Sequence, residues 1–292
     1  MTESSRADRI VIVGVDGSDG SVVALRWALE HADQLGNVEP VMAFMSGLFG
    51  EGLGVTEGSD EGPYRSEAVR RLQAFLQEHA PRLVDAGVVI EHRAGPGLVK
   101  AARSAELLVV GTRGWSSRVD LSVGSVGAYC ARHATVPVAL IPQSVPPIHE
   151  HLDVVVGFDG SAHAQTALRW TLTHLRRSAV VVAVRAFTSE SVVGEPLSPS
   201  PGNSEAQARQ ELEAGVAEVL RDFDGHPAVE LLAVPGDPRV VLRTASDDAD
   251  LLVVGSRGHG VLDRLLLGSV ASALAHHPTL PTIVVPHHSA PH

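Results

Sequence analysis

Lysine is almost missing from this chain: Lys100 is the only one among 23 basic residues. No G-x₄-G-K-[ST] run occurs, so a phosphate site built around a P-loop lysine is excluded. Cysteine is equally scarce. Cys130 stands alone, which rules out an intrachain disulfide and any C-x-x-C redox or zinc motif. Aromatic residues make up 4%, so the core has to be built from Val, Leu, Ala and Ile. No apolar run approaches the ~18 residues of a membrane span, and the opening "MTESSRADRI" has no apolar signal region. A soluble, cytoplasmic protein is expected. Positive charge is in deficit as well, with a formal net charge of −11. Residues 1–146 carry 13 basic and 17 acidic residues, and 147–292 carry 10 and 17. Neither half suits a nucleic acid or an anionic membrane. No G-x-S-x-G or H-E-x-x-H appears. The 15 histidines include "HH" at 276–277 and "HHSAPH" at 287–292, but neither has a companion ligand set, so no metal site is expected.

What is present is a duplication. "VIVGVDGSDGSVVALRWAL" (11–29) and "VVVGFDGSAHAQTALRWTL" (154–172) agree at 11 of 19 positions without a gap. "VVGTRGWSSRVDLSVGSVGAYCARHATVPVALIP" (109–142) and "VVGSRGHGVLDRLLLGSVASALAHHPTLPTIVVP" (253–286) agree at 14 of 34. The offsets are 143 and 144 residues, so the repeating unit is a whole domain. The seam lies in "QSVPPIHEHL" (143–152), where Pro146-Pro147 interrupts regular structure, giving domains 1–146 and 147–292.

Each copy alternates strands with helices. In the first, "IVIVGVD" (10–16) reads as a strand buried on both faces. A helix over 20–36 follows, with Gly36 as its C-cap, and then a strand at 38–45. An amphipathic helix at 67–87 and a strand at 87–94 come next. A short helix (97–105) leads to the fourth strand (106–111), a helix at 126–133 and a fifth strand (136–142). The second copy repeats the order with "HLDVVVGFD", "AVVVAVRAF", "VELLAVP", "DLLVVG" and "PTIVVP". This alternation predicts right-handed βαβ units, and so an α/β fold of two tandem, doubly wound parallel sheets. One difference is expected between the copies. Gly95 to Gly111 is shorter than Gly236 to Gly255, so the first copy should lack nearly one helical turn before its fourth strand.

Ligands of open parallel sheets sit at the carboxyl ends of the strands, where the winding reverses. The loops after strands one and four flank that point, and they repeat best: "VGVDGS"/"VGFDGS" and "GTRG…GS"/"GSRG…GS". Glycine lets main chain approach an anion closely, and the following helix offers free N–H groups and a partial positive charge. Asp16 and Asp159 stand at the tips of strand one. There they can accept from a ribose or a base, help to hold Mg²⁺, or serve as an N-cap or Asx-turn for the next helix. Arg113 and Arg257 face either a phosphate or solvent. Trp27 and Trp170, in matching "ALRW" positions, belong to a core or an interface. Cys130 has no evident activating partner.

With the spacing G-x₂-G-x₉-G-[ST] at Gly111, Gly114, Gly124-Ser125 and again at Gly255, Gly258, Gly268-Ser269, the chain resembles the universal stress protein family in its tandem, ATP-binding form. The resemblance implies five-stranded sheets of order 3-2-1-4-5, an adenine nucleotide alpha hydrolase-like fold. It implies ATP as the ligand, with Mg²⁺ as an optional companion. It places phosphates on Gly111, Gly114, Gly124, Ser125 and Val126, and on Gly255, Gly258, Gly268, Ser269 and Val270, with Arg113 and Arg257 beside them. The ribose falls to Asp16 and Asp159, with Gly14 and Gly157 beneath the nucleotide. The adenine edge falls to the main chain at Ala43 and Ala186. The two domains are expected to pair within the chain through their fifth strands, which leaves room for a homodimer. Trp115 and the polar "SSRVDLSVGS" depart from the family pattern, so the first site is the less orthodox. With no general base evident, the expected role is a non-catalytic, nucleotide-dependent regulator of stress response or signalling. The alternatives are a nucleotide-free dimerisation or scaffold module and a slow ATPase.

Overall fold

A computed structural model of the chain describes residues 9–45, 62–112, 125–145, 152–174, 180–187, 205–258, 267–276 and 278–286. The chain divides into two compact units, Met1–Val145 and Pro146–His292. In the first unit β1 (Ile10–Gly14) leads to α1 (Asp19–Glu30) and a single turn, α2 (Ala32–Leu35). Then come β2 (Asn37–Phe44), α3 (Pro63–His79), β3 (Val88–Glu91), α4 (Ala94–Ala101), β4 (Leu107–Gly111), α5 (Ser125–His133) and β5 (Val138–Ile141). The second unit runs β6 (Asp153–Gly157), α6 (Ala162–His174), β7 (Val180–Phe187), α7 (Glu205–Leu220), β8 (Ala228–Pro235), α8 (Pro238–Ala245), β9 (Leu251–Gly255), α9 (Ser269–His276) and β10 (Thr282–Val285). Among the described residues no helix is long and apolar enough to cross a membrane.

All described strand pairs within a unit are parallel, in the order β3-β2-β1-β4-β5 in the first and β8-β7-β6-β9-β10 in the second. The central strands are apolar on both faces because helices cover both. In the first unit α1 and α3 lie against the sheet on one side, and α4 and α5 pack together on the other. Val11, Val13, Leu107, Leu108, Val109 and Leu140 are completely buried there, as are Val154, Val156, Val253 and Ile283 in the second unit. The winding turns back between β1 and β4, and between β6 and β9, which is where a parallel sheet opens a crevice.

Several boundaries differ from the sequence reading. The helix expected over 20–36 stops at Glu30. The His31 ring bonds the Trp27 carbonyl through Nδ1 at 2.7 Å, and its backbone leaves the helical region (φ −107°, ψ 7°). Gly36 does end the next turn, at φ 130°. The helix expected to 87 ends at His79, and a 3₁₀ segment Pro81–Ala86 follows, since a proline cannot continue the ladder. Strand one ends at Gly14 rather than Asp16, and the third strand at Glu91 rather than 94, because α4 already begins at Ala94.

The missing helical turn is not there. Arg93 and Asp237 are the N-caps of α4 and α8, and Leu98 and Leu242 make the same contact beneath Gly14 and Gly157. Both pairs are 144 residues apart, like the fourth strands, so the two segments are equal in length. Gly95 lies within α4 whereas Gly236 precedes α8, at φ 140°, so the two glycines are not equivalent.

Candidate functional site

Each unit builds its crevice from the same first turn. After β6 the chain passes Phe158 and Asp159, and Gly160 then takes a left-handed φ of 84°. Asp159 Oδ1 accepts from the Ser161 N–H at 2.9 Å, and Ser161 Oγ accepts from the Ala164 N–H at 3.3 Å. The first unit is the same: Gly17 has φ 84°, Asp16 Oδ1 accepts from the Ser18 N–H at 3.0 Å, and Ser18 Oγ caps Ser21 at 3.3 Å. In both, the aspartate makes an Asx-turn and the serine is the helix cap. Asp16 is exposed, whereas Asp159 is half-buried.

The glycines of the strand-four loop do different jobs. A Cβ on Gly255 would come within 2.7–2.8 Å of His163 main chain and Cβ, and one on Gly111 within 2.6 Å of the Gly20 carbonyl carbon. These two let the first helix of each unit close onto the fourth strand. Gly258 instead faces the Asp159 carboxylate, where a Cβ would meet Oδ2. Gly268 donates its N–H to the Ser256 carbonyl at 2.8 Å and accepts from the Ser272 N–H at 2.8 Å. It thereby folds the loop back and starts α9, whose first N–H groups have no helical acceptor.

The strand-two residues face the crevice with main chain. Phe158 donates to the Val184 carbonyl at 2.8 Å, so Val184 turns its polar groups toward β6. In a parallel ladder the next residue but one does the same. That residue is Ala186, and β6 has already turned away, its register ending at Gly157↔Val184. The N–H and C=O of Ala186 therefore point into the space that β6 vacates. Val15 donates to Val41 at 2.9 Å, which makes Ala43 the equivalent in the first unit.

These pieces enclose a cavity of about 330 Å³ in the second unit. All nine residues expected there, Gly157, Asp159, Ala186, Gly255, Arg257, Gly258, Gly268, Ser269 and Val270, line it. Phe158, Ala164, Val184, Pro238, Leu242, Val254 and Ala271 complete an apolar floor and walls, and Arg185 joins them. A Cβ on Gly157 would meet Leu242 and Val254 at 3.1 and 3.2 Å, so this glycine sets the floor height. Arg185 was missed. Its signal was visible as a lone cation inside the apolar strand "VVVAVRAF". In the first unit Gly14 on β1, Asp16 in the turn after it, Ala43 on β2, Gly111 on β4 and Val126 on α5 hold the matching positions. Arg113, Gly114, Gly124 and Trp115 lie outside the described residues, as does the side chain of Ser125.

Two doubly wound units in tandem, the second with a glycine-lined crevice at its switch point, define a class of parallel α/β proteins. The particular family follows from comparison with known proteins. The model of the universal stress protein family matches residues 9–142 and 152–286, and the chain belongs to that family in its tandem form. A universal stress protein of Mycobacterium tuberculosis is 31% identical over 293 residues, covering 94% of this chain and 95% of the relative. One of Mycobacterium bovis is 29% identical over 287 residues, covering 94% and 96%. The crystal structure of a universal stress protein from Archaeoglobus fulgidus superimposes with a TM-score of 0.63 at 20% identity, covering 95% of this chain and 98% of that one. The fold is the adenine nucleotide alpha hydrolase-like one expected of the family.

Proposed function

We propose that this protein is a nucleotide-dependent regulator of stress response or signalling that binds ATP in the crevice of each unit and does not turn it over rapidly. One observation carries the reading. Nine residues from four separate segments, chosen for phosphate, ribose and adenine contacts, line a single cavity of about 330 Å³. Its composition suits the ligand: an apolar floor for a base, main chain at Ala186 for its edge, a carboxylate for a ribose, and α9's open N–H groups with Arg257 for phosphates. Among the described residues lining it, Asp159 is the only carboxylate and none is a histidine. The carboxylate's Oδ1 already serves Ser161. That favours holding a nucleotide over activating water. If Mg²⁺ accompanies the triphosphate, Asp159 is the residue of this lining that would help to hold it.

The test is mass spectrometry of small molecules released from the purified protein, followed by calorimetry with Mg-ATP. An adenine nucleotide is expected in the first, and saturable binding in the second. A protein that carries none and gives no heat with Mg-ATP sinks the reading.

A further inference from the structure

One difference between the two units lies on strand two, outside the repeated motifs. Arg185, in the middle of the far half of β7, reaches two elements at once. Its Nη1 donates to the Asp159 main-chain carbonyl at 2.8 Å, and its Nη2 pairs with Glu211 on α7. Glu211 is in turn held by Gln207 Nε2 at 3.1 Å from the preceding turn of the same helix. The guanidinium thus ties the loop that carries Asp159 to a strand and to an outer helix. Charge-assisted, two-pronged bonds of this kind fix geometry as well as adding energy.

Among the described residues the first unit shows no such tie. The matching β2 register, 143 residues earlier, puts Met42 where Arg185 stands, and Met42 is buried. Arg71 on α3 bonds Glu67 of its own helix at 2.7 Å. In the second unit the Phe158 ring lies over Gly215 of α7, within 2.8 Å of where a Cβ would sit, and Val15 stands at the place of Phe158 in the first unit.

Resting on the nucleotide-binding reading above, we propose that Arg185 is a positioning residue: its tie from Glu211 to the Asp159 loop makes the second-unit crevice the tighter nucleotide site, and the first unit, with Met42 in that place, the weaker. Holding the loop in its binding geometry before the ligand arrives lowers the ordering cost of binding.

The experiment is calorimetry of the full chain with Mg-ATP. Gly114→Val silences the first site so that the second is read alone, and Gly258→Val does the converse. The second site is expected to bind about tenfold more tightly than the first, the factor carried by one charge-assisted hydrogen bond. Arg185→Met and Glu211→Ala should each bring the second site to about the affinity of the first, and Arg185→Lys, which keeps one donor contact, should fall between. Unfolding by denaturant shows that the variants remain folded. Second-site affinity within twofold of wild type in both Arg185→Met and Glu211→Ala overturns the proposal, and so does a first site, read alone in Gly258→Val, that binds as tightly as the second. If Mg-ATP binding is absent from the wild type, or is unaffected by Gly258→Val, it is the nucleotide reading that fails, and the positioning role falls with it.

Discussion

Gly258 lies directly against the carboxylate of Asp159, so that any side chain at position 258 would run into Oδ2. The contact joins the loop after strand one to the loop after strand four across the mouth of the crevice. The neighbour is the end of a side chain, which can move, so a small substitution should be tolerated by the fold. It would not be tolerated by the site, because the carboxylate must shift. Gly258→Val is expected to weaken Mg-ATP binding by more than tenfold while changing the unfolding free energy by less than about 1 kcal/mol. Asp159→Ala, which removes net hydrogen bonds worth about 0.5–1.5 kcal/mol each, should weaken binding less. Affinities that match wild type in both variants would move the ligand elsewhere.

Three residues earlier the outcome reverses. Gly255 and Gly111 face main chain, His163 in one unit and Gly20 in the other, and main chain at the start of a helix cannot step aside. Gly255→Ala and Gly111→Ala should each destabilise their unit by about 1–3 kcal/mol, the range for overpacking a filled interface. Chemical denaturation measures this directly. A loss of binding in these variants without a loss of stability would show that the first glycine of the motif contacts ligand rather than packing.

The duplication explains why so much was legible. Two copies of each loop fixed the spacing, and the alternating pattern fixed the parallel α/β class, because a strand covered on both faces reads as an unbroken apolar run; the strand order came from the family resemblance. The aspartates were readable as either ligands or turn formers, and the structure shows the turn in both copies, at Ser18 and Ser161. What sequence alone obscured was equivalence. Gly95 and Gly236 look like partners, yet one sits inside a helix and the other in a left-handed turn before one. Arg185 escaped because its two partners, Asp159 and Glu211, are each 26 residues away and carry no motif. The end of α1 at Glu30 was hidden because the apolar period runs on to Leu35, and only the buried His31 ring, stacked on Trp27 at 4.5 Å, stops it.

Cys130 completes the inner side of α5 and is wholly buried. Burial pushes its thiol up to about 12, far from the thiolate range near neutrality. The native protein should therefore resist a chromogenic disulfide reagent at pH 8 over hours, and react with one equivalent as soon as denaturant is added. Fast reaction of the native protein would mean that α5 opens readily from the sheet.

Asp237 offers a pH test confined to one helix end. It caps α8 by accepting from the Arg239 N–H at 2.8 Å, and the Arg239 guanidinium returns on it through Nε at 2.9 Å and Nη2 at 2.5 Å. The side-chain bonds from Arg239 come first, and the main-chain N–H second, in holding this carboxyl at about 2, below its usual 3.8. A carboxyl whose folded value is depressed binds its proton more readily in the unfolded chain, so its contribution is complete above the unfolded value and disappears as pH falls through the folded one. Asp237→Asn should thus lower the denaturation midpoint at pH 7, by an amount that stays constant down to about pH 5. Between pH 4 and pH 2 the gap from wild type should shrink, as the native aspartate itself takes up a proton. The amide still accepts a hydrogen bond as a cap, so the part of the gap that closes reports the charged carboxylate and its fork to Arg239. A gap that widens on acidification would have the wrong sign for this carboxylate and would place its stabilising partner in the unfolded chain.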